Sequence, residues 1–163
     1  MDIKAAIFRA FYEKRKKGWD KLYFLVDLHG TVVHNYDKKD LYNKPIEYYV
    51  GARETLREMS RRKDIHLILW TGTHRKEVKD ILQRFVEDGI HFDNVNENPE
   101  VKDTDKYCSS EKLYFNIGID DRFGFDAESG DWKYVMIALM DNPEETYSIR
   151  VKEHVWLNRN ESK

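Results

Sequence analysis

The chain has 163 residues, 40% apolar and 36% charged, with 28 Lys and Arg against 30 Asp and Glu for a net charge of −2. One compact domain suits that length, because two would leave each core too small to stand alone, and 4 Trp, 10 Tyr and 8 Phe supply enough buriable surface to exclude intrinsic disorder. The near-neutral balance argues against a strongly basic polyanion binder, and one cysteine, Cys108, excludes an internal disulfide and gives no zinc pattern.

In chain order, Ile3, Ala6, Ile7, Ala10 and Phe11 recur at helical spacing, and Lys14 to Lys17 followed by Gly18 form a C-terminal signal, so a helix is predicted over Asp2 to Lys17. This N-terminal stretch lacks the apolar core of a secretory signal. KLYFLVD (Lys21 to Asp27) is a nearly continuous apolar run, the pattern of a strand buried on both faces. Thr31 to Val50 is polar and Tyr-rich, with a turn signal at Asn43 to Pro45, and reads as a short excursion or flap. Its Tyr36, Tyr42, Tyr48 and Tyr49 are assigned to packing rather than to a cleft.

A helix follows over Gly51 to Lys63, then a second buried strand, IHLILW (Ile65 to Trp70), stopped by Thr71-Gly72-Thr73. His74 to Glu87 is amphipathic through Val78, Ile81, Leu82 and Phe85 and ends at Asp88-Gly89. Ile90 to Val95 is predicted as a third strand and Lys112 to Asp120 as a fourth. Asp131 is a candidate N-cap for a helix over Trp132 to Met140, although Tyr134 to Met140 also suits a strand; Asn142-Pro143-Glu144-Glu145 resembles a further helix start. Strands alternating with helices indicate an α/β layered domain with a parallel sheet over residues 1–163. No uncharged stretch approaches the ~18 apolar residues of a membrane span, and a reducing, cytoplasmic setting without membrane partners is expected. The basic runs Lys14 to Lys17 and Arg61 to Lys63 read as solvated helix ends, with a nucleic-acid surface as the alternative.

In parallel sheets ligands bind beyond the carboxyl ends of the strands. Those ends carry Asp27-Leu28-His29-Gly30-Thr31, Thr71-Gly72-Thr73 and Asp120-Asp121. Carboxylates facing one another there repel unless a cation lies between them, and Mg²⁺ prefers such hard oxygens while leaving positions for substrate phosphate. Asp27 could then act as a nucleophile forming an acyl-phosphate. Thr71 and Gly72, at a strand-to-helix turn, form an anion cradle.

The strings VDLHGT, LILWTGT and GIDD, in this order between Lys21 and about Arg122, resemble the haloacid dehalogenase superfamily, whose motifs are DxDGT, an apolar strand ending in Thr or Ser, a Lys, and an acidic pair. The resemblance implies a three-layer Rossmann-like sheet in the order 4-1-2-3 with a minimal cap over residues 31–50. It also implies Asp27 as nucleophile, a phosphate contact from Thr71, and Mg²⁺ held by Asp27, the main-chain carbonyl of His29, and Asp120 or Asp121. The motif lysine is assigned to Lys102, with Lys106 as the alternative. Lys112 precedes the fourth strand, roughly 20 Å from the carboxyl edge.

One position departs from the family pattern. His29 stands where phosphatases of the family carry a second Asp that protonates the leaving group and activates water. Imidazole can do both, so the chain reads as a Mg²⁺-dependent phosphoric monoester hydrolase with an unusual acid/base, or as a degenerate member that binds a phosphate or nucleotide. The small cap, by analogy with capless members such as the phosphatase half of polynucleotide kinase/3′-phosphatases, suggests a nucleic-acid end as substrate or a homo-oligomer that closes the site; a phosphorylated small molecule is the other partner considered.

Overall fold

A computed structural model describes residues 2–35, 40–101 and 112–142. Four strands form one parallel sheet in the order β3-β2-β1-β4, matching the expected order and a Rossmann-like three-layer α/β fold. Strands β1 (Leu22–Asp27) and β2 (Ile65–Trp70) pair along their whole length, from Leu22 with Ile65 to Asp27 with Trp70. On the flanks, β4 (Ile117–Ile119) pairs with Phe24 to Val26, and β3 (Asn94–Val95) pairs with Ile68 and Leu69. All four carboxyl ends therefore open on one edge.

Alternation divides the sheet into two unlike faces. Phe24, Val26, Leu67, Leu69, Ile117 and Ile119 join a single apolar cluster with helices α1 (Ile3–Lys17), α3 (Ala52–Arg61), α4 (Arg75–Glu87) and α5 (Asp131–Met140). Tyr23, His66 and Asn94 lie on the other face. There His66 Nε2 meets Asn94 Oδ1 at 2.9 Å, and Glu100 takes Lys21 Nζ at 3.0 Å and the Tyr23 hydroxyl at 3.0 Å. Burial and the Glu100 charge push the Tyr23 phenol pKa upward, so the hydroxyl stays a donor. Among the described residues no helix is long and apolar enough to cross a membrane.

Local chemistry adjusts several predicted boundaries. Asp2 is the N-cap of α1, its carboxylate accepting the Ala5 N–H at 3.0 Å, and Gly18 closes the helix with φ +65°. Residues 90–93 do not join the third strand: the His91 N–H goes to Ser60 Oγ, and Asp93 exchanges bonds with Leu67 through both its main chain and its carboxylate. The fourth strand likewise begins at Ile117 rather than Lys112, because the Asn116 side-chain Oδ1 takes the Tyr23 N–H that a ladder carbonyl would otherwise accept. Asp131 is the first residue of α5 rather than its cap. Gly130 occupies the cap with φ +88°, and the Asp131 carboxylate accepts the Asp126 N–H instead. Tyr134 to Met140 is helical.

In the described parts of residues 31–50, Val33 is bridged to His29 and to Tyr48, and a short helix α2 covers Asp40–Asn43. Tyr48 donates to Asp88 at 2.7 Å, Tyr49 meets His34 with ring centroids 3.9 Å apart at a 34° tilt, and both tyrosines lie against the apolar core, so these two rings pack as expected. Tyr36, the Tyr42 side chain, Cys108 and the helix start after Asn142 lie outside the described residues.

The basic runs form the last turn of α1 and the end of α3 and precede β1 and β2, which places them at the amino edge of the sheet. That is a strand length, roughly 17 Å, from the carboxyl edge. Arg62 is not a surface cation: it is 4% exposed, binds Asp64 at 2.9 Å through two nitrogens, donates to the Leu139 carbonyl at 3.0 Å and lies over the Phe11 ring. It fastens α3 to α5 and α1. Lys17 and Arg61 are paired within their own helices, to Glu13 and Glu58.

Candidate active site

At the carboxyl edge the sheet delivers Asp27, Asp120 and Asp121 to one point, where one carboxylate oxygen from each lies within 4.8 Å of the other two. They line a cavity of about 750 Å³ together with His29, Gly30, Asn35, Trp70, Thr71, Gly72, Thr73, Asn96 and Arg122. Of the residues singled out from sequence, Asp27, His29, Thr71, Gly72, Asp120 and Asp121 are thus brought together. Lys102 and Lys106 lie outside the described residues.

Each acidic group is fixed locally. Asp120 is 4% exposed and caps a short 3-10 helix over Asp121–Phe123, its carboxylate accepting the Arg122 N–H at 2.8 Å. Asp121 is exposed. Thr31, fully buried, joins the two strand ends: its hydroxyl donates to Asp27 Oδ2 at 3.3 Å and accepts the Asp121 N–H at 3.2 Å. The Thr31 carbonyl in turn accepts the indole N–H of Trp132, at 2.8 Å, from the core side of α5. Gly30 allows the turn, with φ +79° and only 3.1 Å between an added Cβ and Asp121 Oδ2.

The electrostatics are those of crowded carboxylates. Burial, reinforced by Asp120 and Asp121, pushes the Asp27 carboxyl up to about 6 against the pull of the Leu28 N–H and the Thr31 hydroxyl. Burial also raises Asp120, with Asp121 adding to the effect. His29 is shifted the other way, below the ordinary imidazole value, because burial disfavours its charged form more than Glu77 favours it. Three hard oxygen donors, two with disfavoured negative charge, fit a divalent cation such as Mg²⁺.

The second strand end is held by a residue that sequence reading missed. Asn96 accepts the Thr71 N–H on Oδ1 at 2.8 Å and donates from Nδ2 to the Thr71 carbonyl at 2.7 Å, while its own N–H reaches the Leu69 carbonyl at 2.9 Å. Among the described residues it is the non-glycine residue with positive φ, +54°, a conformation asparagine tolerates better than most. The Thr71 hydroxyl donates to Thr73 Oγ1 at 2.9 Å and accepts the Thr73 N–H at 3.2 Å. Gly72 needs no special backbone; an added Cβ there meets nothing within 4 Å, so its missing side chain leaves room at the cavity wall. Asn96→Ala, losing both side-chain bonds and the residue suited to this backbone, is expected to cost about 1–3 kcal/mol in urea unfolding. Asn96→Gly, keeping the backbone freedom, is expected to cost less; equal stability of Asn96→Ala and the parent would refute the clamp.

No protein-family model matches the chain, and no curated protein does. A solved structure of a conserved protein coded by a locus from Bacteroides thetaiotaomicron is similar, with 25% sequence identity and a TM-score of 0.53, over 82% of this chain and 99% of that one. The likeness supports the α/β fold described above.

Proposed function

We propose that this protein is a Mg²⁺-dependent phosphoric monoester hydrolase of the haloacid dehalogenase type. The observation that carries the reading is the convergence of Asp27, Asp120 and Asp121 with Thr71 around one cavity at the carboxyl edge of the sheet. Asp27, Asp120 and Asp121 would hold the cation, with the main chain of His29 beside them; when bound, Mg²⁺ supplies charge neutralisation to the carboxylates and to the phosphate. Asp27 attacks phosphorus, its carboxylate oxygen forming the acyl-phosphate bond as the ester oxygen departs with the bonding pair. Thr71 and the turn after it orient the phosphate oxygens. His29, neutral by virtue of its burial, takes a proton from the water that then hydrolyses the aspartyl-phosphate.

A second reading rests on the same histidine. A neutral imidazole is a ready base but a poor acid for an alkoxide leaving group, which suits a site that binds phosphorylated ligands and turns them over little. Purified protein with Mg²⁺ and p-nitrophenyl phosphate is expected to release nitrophenol, and EDTA is expected to stop it. Release that EDTA leaves untouched would refute the metal-dependent mechanism.

A further inference from the structure

Trp70 is the unexplained group in this site. It ends β2, whose other five residues are all buried, yet it is 39% exposed and lines the cavity among carboxylates, hydroxyls and amides. Large aromatic surface left open beside polar groups is a feature of binding sites. Its position is also specific. Trp70 is the register partner of Asp27, and partners on adjacent parallel strands project from the same face about 4.8 Å apart. A flat apolar platform therefore stands one strand spacing from the candidate nucleophile.

We propose that the cavity takes a nucleoside monophosphate, its phosphate on Asp27 and Thr71 and its base stacked on the Trp70 indole; this rests on the phosphate-site reading above. Stacking on an aromatic side chain suits any base, because every base has a π-face. A pentose separates base from phosphate, as the platform is separated from Asp27. About 750 Å³ lies within the range of small-molecule sites, far beyond what phosphate alone requires. Gly72 leaves the wall open. The exposed Asn35 amide on the same cavity offers both a donor and an acceptor to a base edge. A polynucleotide would need a run of cations along its backbone; both basic runs lie at the opposite edge of the sheet with Arg62 buried within one of them, and among the described residues Arg122 is the cation that lines the cavity. The monomeric nucleotide is the better match.

Calorimetric titration of the Asp27→Asn protein at saturating Mg²⁺ tests this, because turnover is blocked while Thr71, Trp70 and the carboxylates of Asp120 and Asp121 remain; the Mg²⁺ concentration is raised to offset the carboxylate the variant has lost. Adenosine and uridine 5′-monophosphate are expected to bind at least about 10-fold tighter than ribose 5-phosphate. Adding Trp70→Ala is expected to abolish that difference, leaving ribose 5-phosphate affinity within about twofold, while Trp70→Phe keeps most of it. Circular dichroism checks that each variant is folded. Equal affinity for nucleotide and sugar phosphate, or a preference that survives Trp70→Ala, overturns the proposal and leaves the phosphate site standing. Tighter binding of a 5′-phosphorylated oligonucleotide or of phosphotyrosine also overturns it, in favour of that ligand. If inorganic phosphate does not bind even to the parent protein with Mg²⁺, the phosphate-site reading fails and this inference fails with it.

Discussion

Asp27→Asn is expected to abolish Mg²⁺-dependent phosphate ester hydrolysis, by at least about 10³-fold in kcat, and at the same time to stabilise the metal-free protein at pH 7. Both effects follow from one carboxylate. As the proposed nucleophile it ends β1 beside Thr71, whereas Asp120 is committed to capping the following turn. As a buried charge beside two others it is a liability, which is why its pKa lies at about 6 rather than near 4. A carboxyl whose folded-state pKa is raised contributes stability that is complete below its unfolded value and is lost as pH rises through about 6. The metal-free parent should therefore lose between about 1 and 3 kcal/mol on going from pH 4 to pH 7 on account of this group. The Asn variant lacks that loss. Mg²⁺ should reverse the order by raising the Tm of the parent more than that of the variant, as expected for a ligand that binds only the folded state. Thermal unfolding across pH, with and without Mg²⁺, measures all of this; a variant less stable than the parent at pH 7 without metal would contradict the electrostatic account.

His29→Ala is expected to lower turnover of p-nitrophenyl phosphate by about 10²- to 10⁴-fold, the usual range for loss of a positioned acid or base. Burial lowers the imidazole pKa, so its base form predominates above a value below the ordinary 6.5. In the parent at saturating Mg²⁺, where the cation would keep Asp27 ionised, kcat should rise with pH through that lowered value and then level off, and in His29→Ala this limb should vanish. His29→Asp separates the two functional readings. If the parent is a working hydrolase, the aspartate variant hydrolyses at a comparable or lower rate, with its limb displaced toward acid. Should the parent be inert and His29→Asp gain activity at unchanged Mg²⁺ affinity, the protein is a binding module and the imidazole is the reason.

Much of this was legible in the residues. LYFLVD and IHLILW are apolar on both sides because both faces of β1 and β2 are covered, and the acidic and hydroxyl residues that end such runs had few structural reasons to be there. The legible part stops where side chains replace main chain. Asn116 and Asp93 take over ladder bonds and shorten β4 and β3, which no periodicity announces. Asn96 is invisible for a related reason: its role depends on a left-handed backbone and on Thr71, 25 residues earlier. Thr31 was in view as part of the first motif, but its tie to Asp121 became apparent only with β1 and β4 side by side. Arg62 reads in sequence as one of a solvated run, and the signal that it is buried, Asp64 two residues on with geometry for a two-nitrogen pair, is too common in sequence to decide anything.

The parallel pairing of β1 with β4 also bears on how the protein reaches its native state. Phe24 meets Ile117 and Val26 meets Ile119, contacts between segments far apart in the chain, and such non-local pairing slows folding because the intervening loop must close first. Asp120 and Asp121 follow that strand directly. The three carboxylates therefore come together only when β4 pairs with β1, so their mutual repulsion opposes that docking, a step that should accelerate in acid or in the presence of a divalent cation.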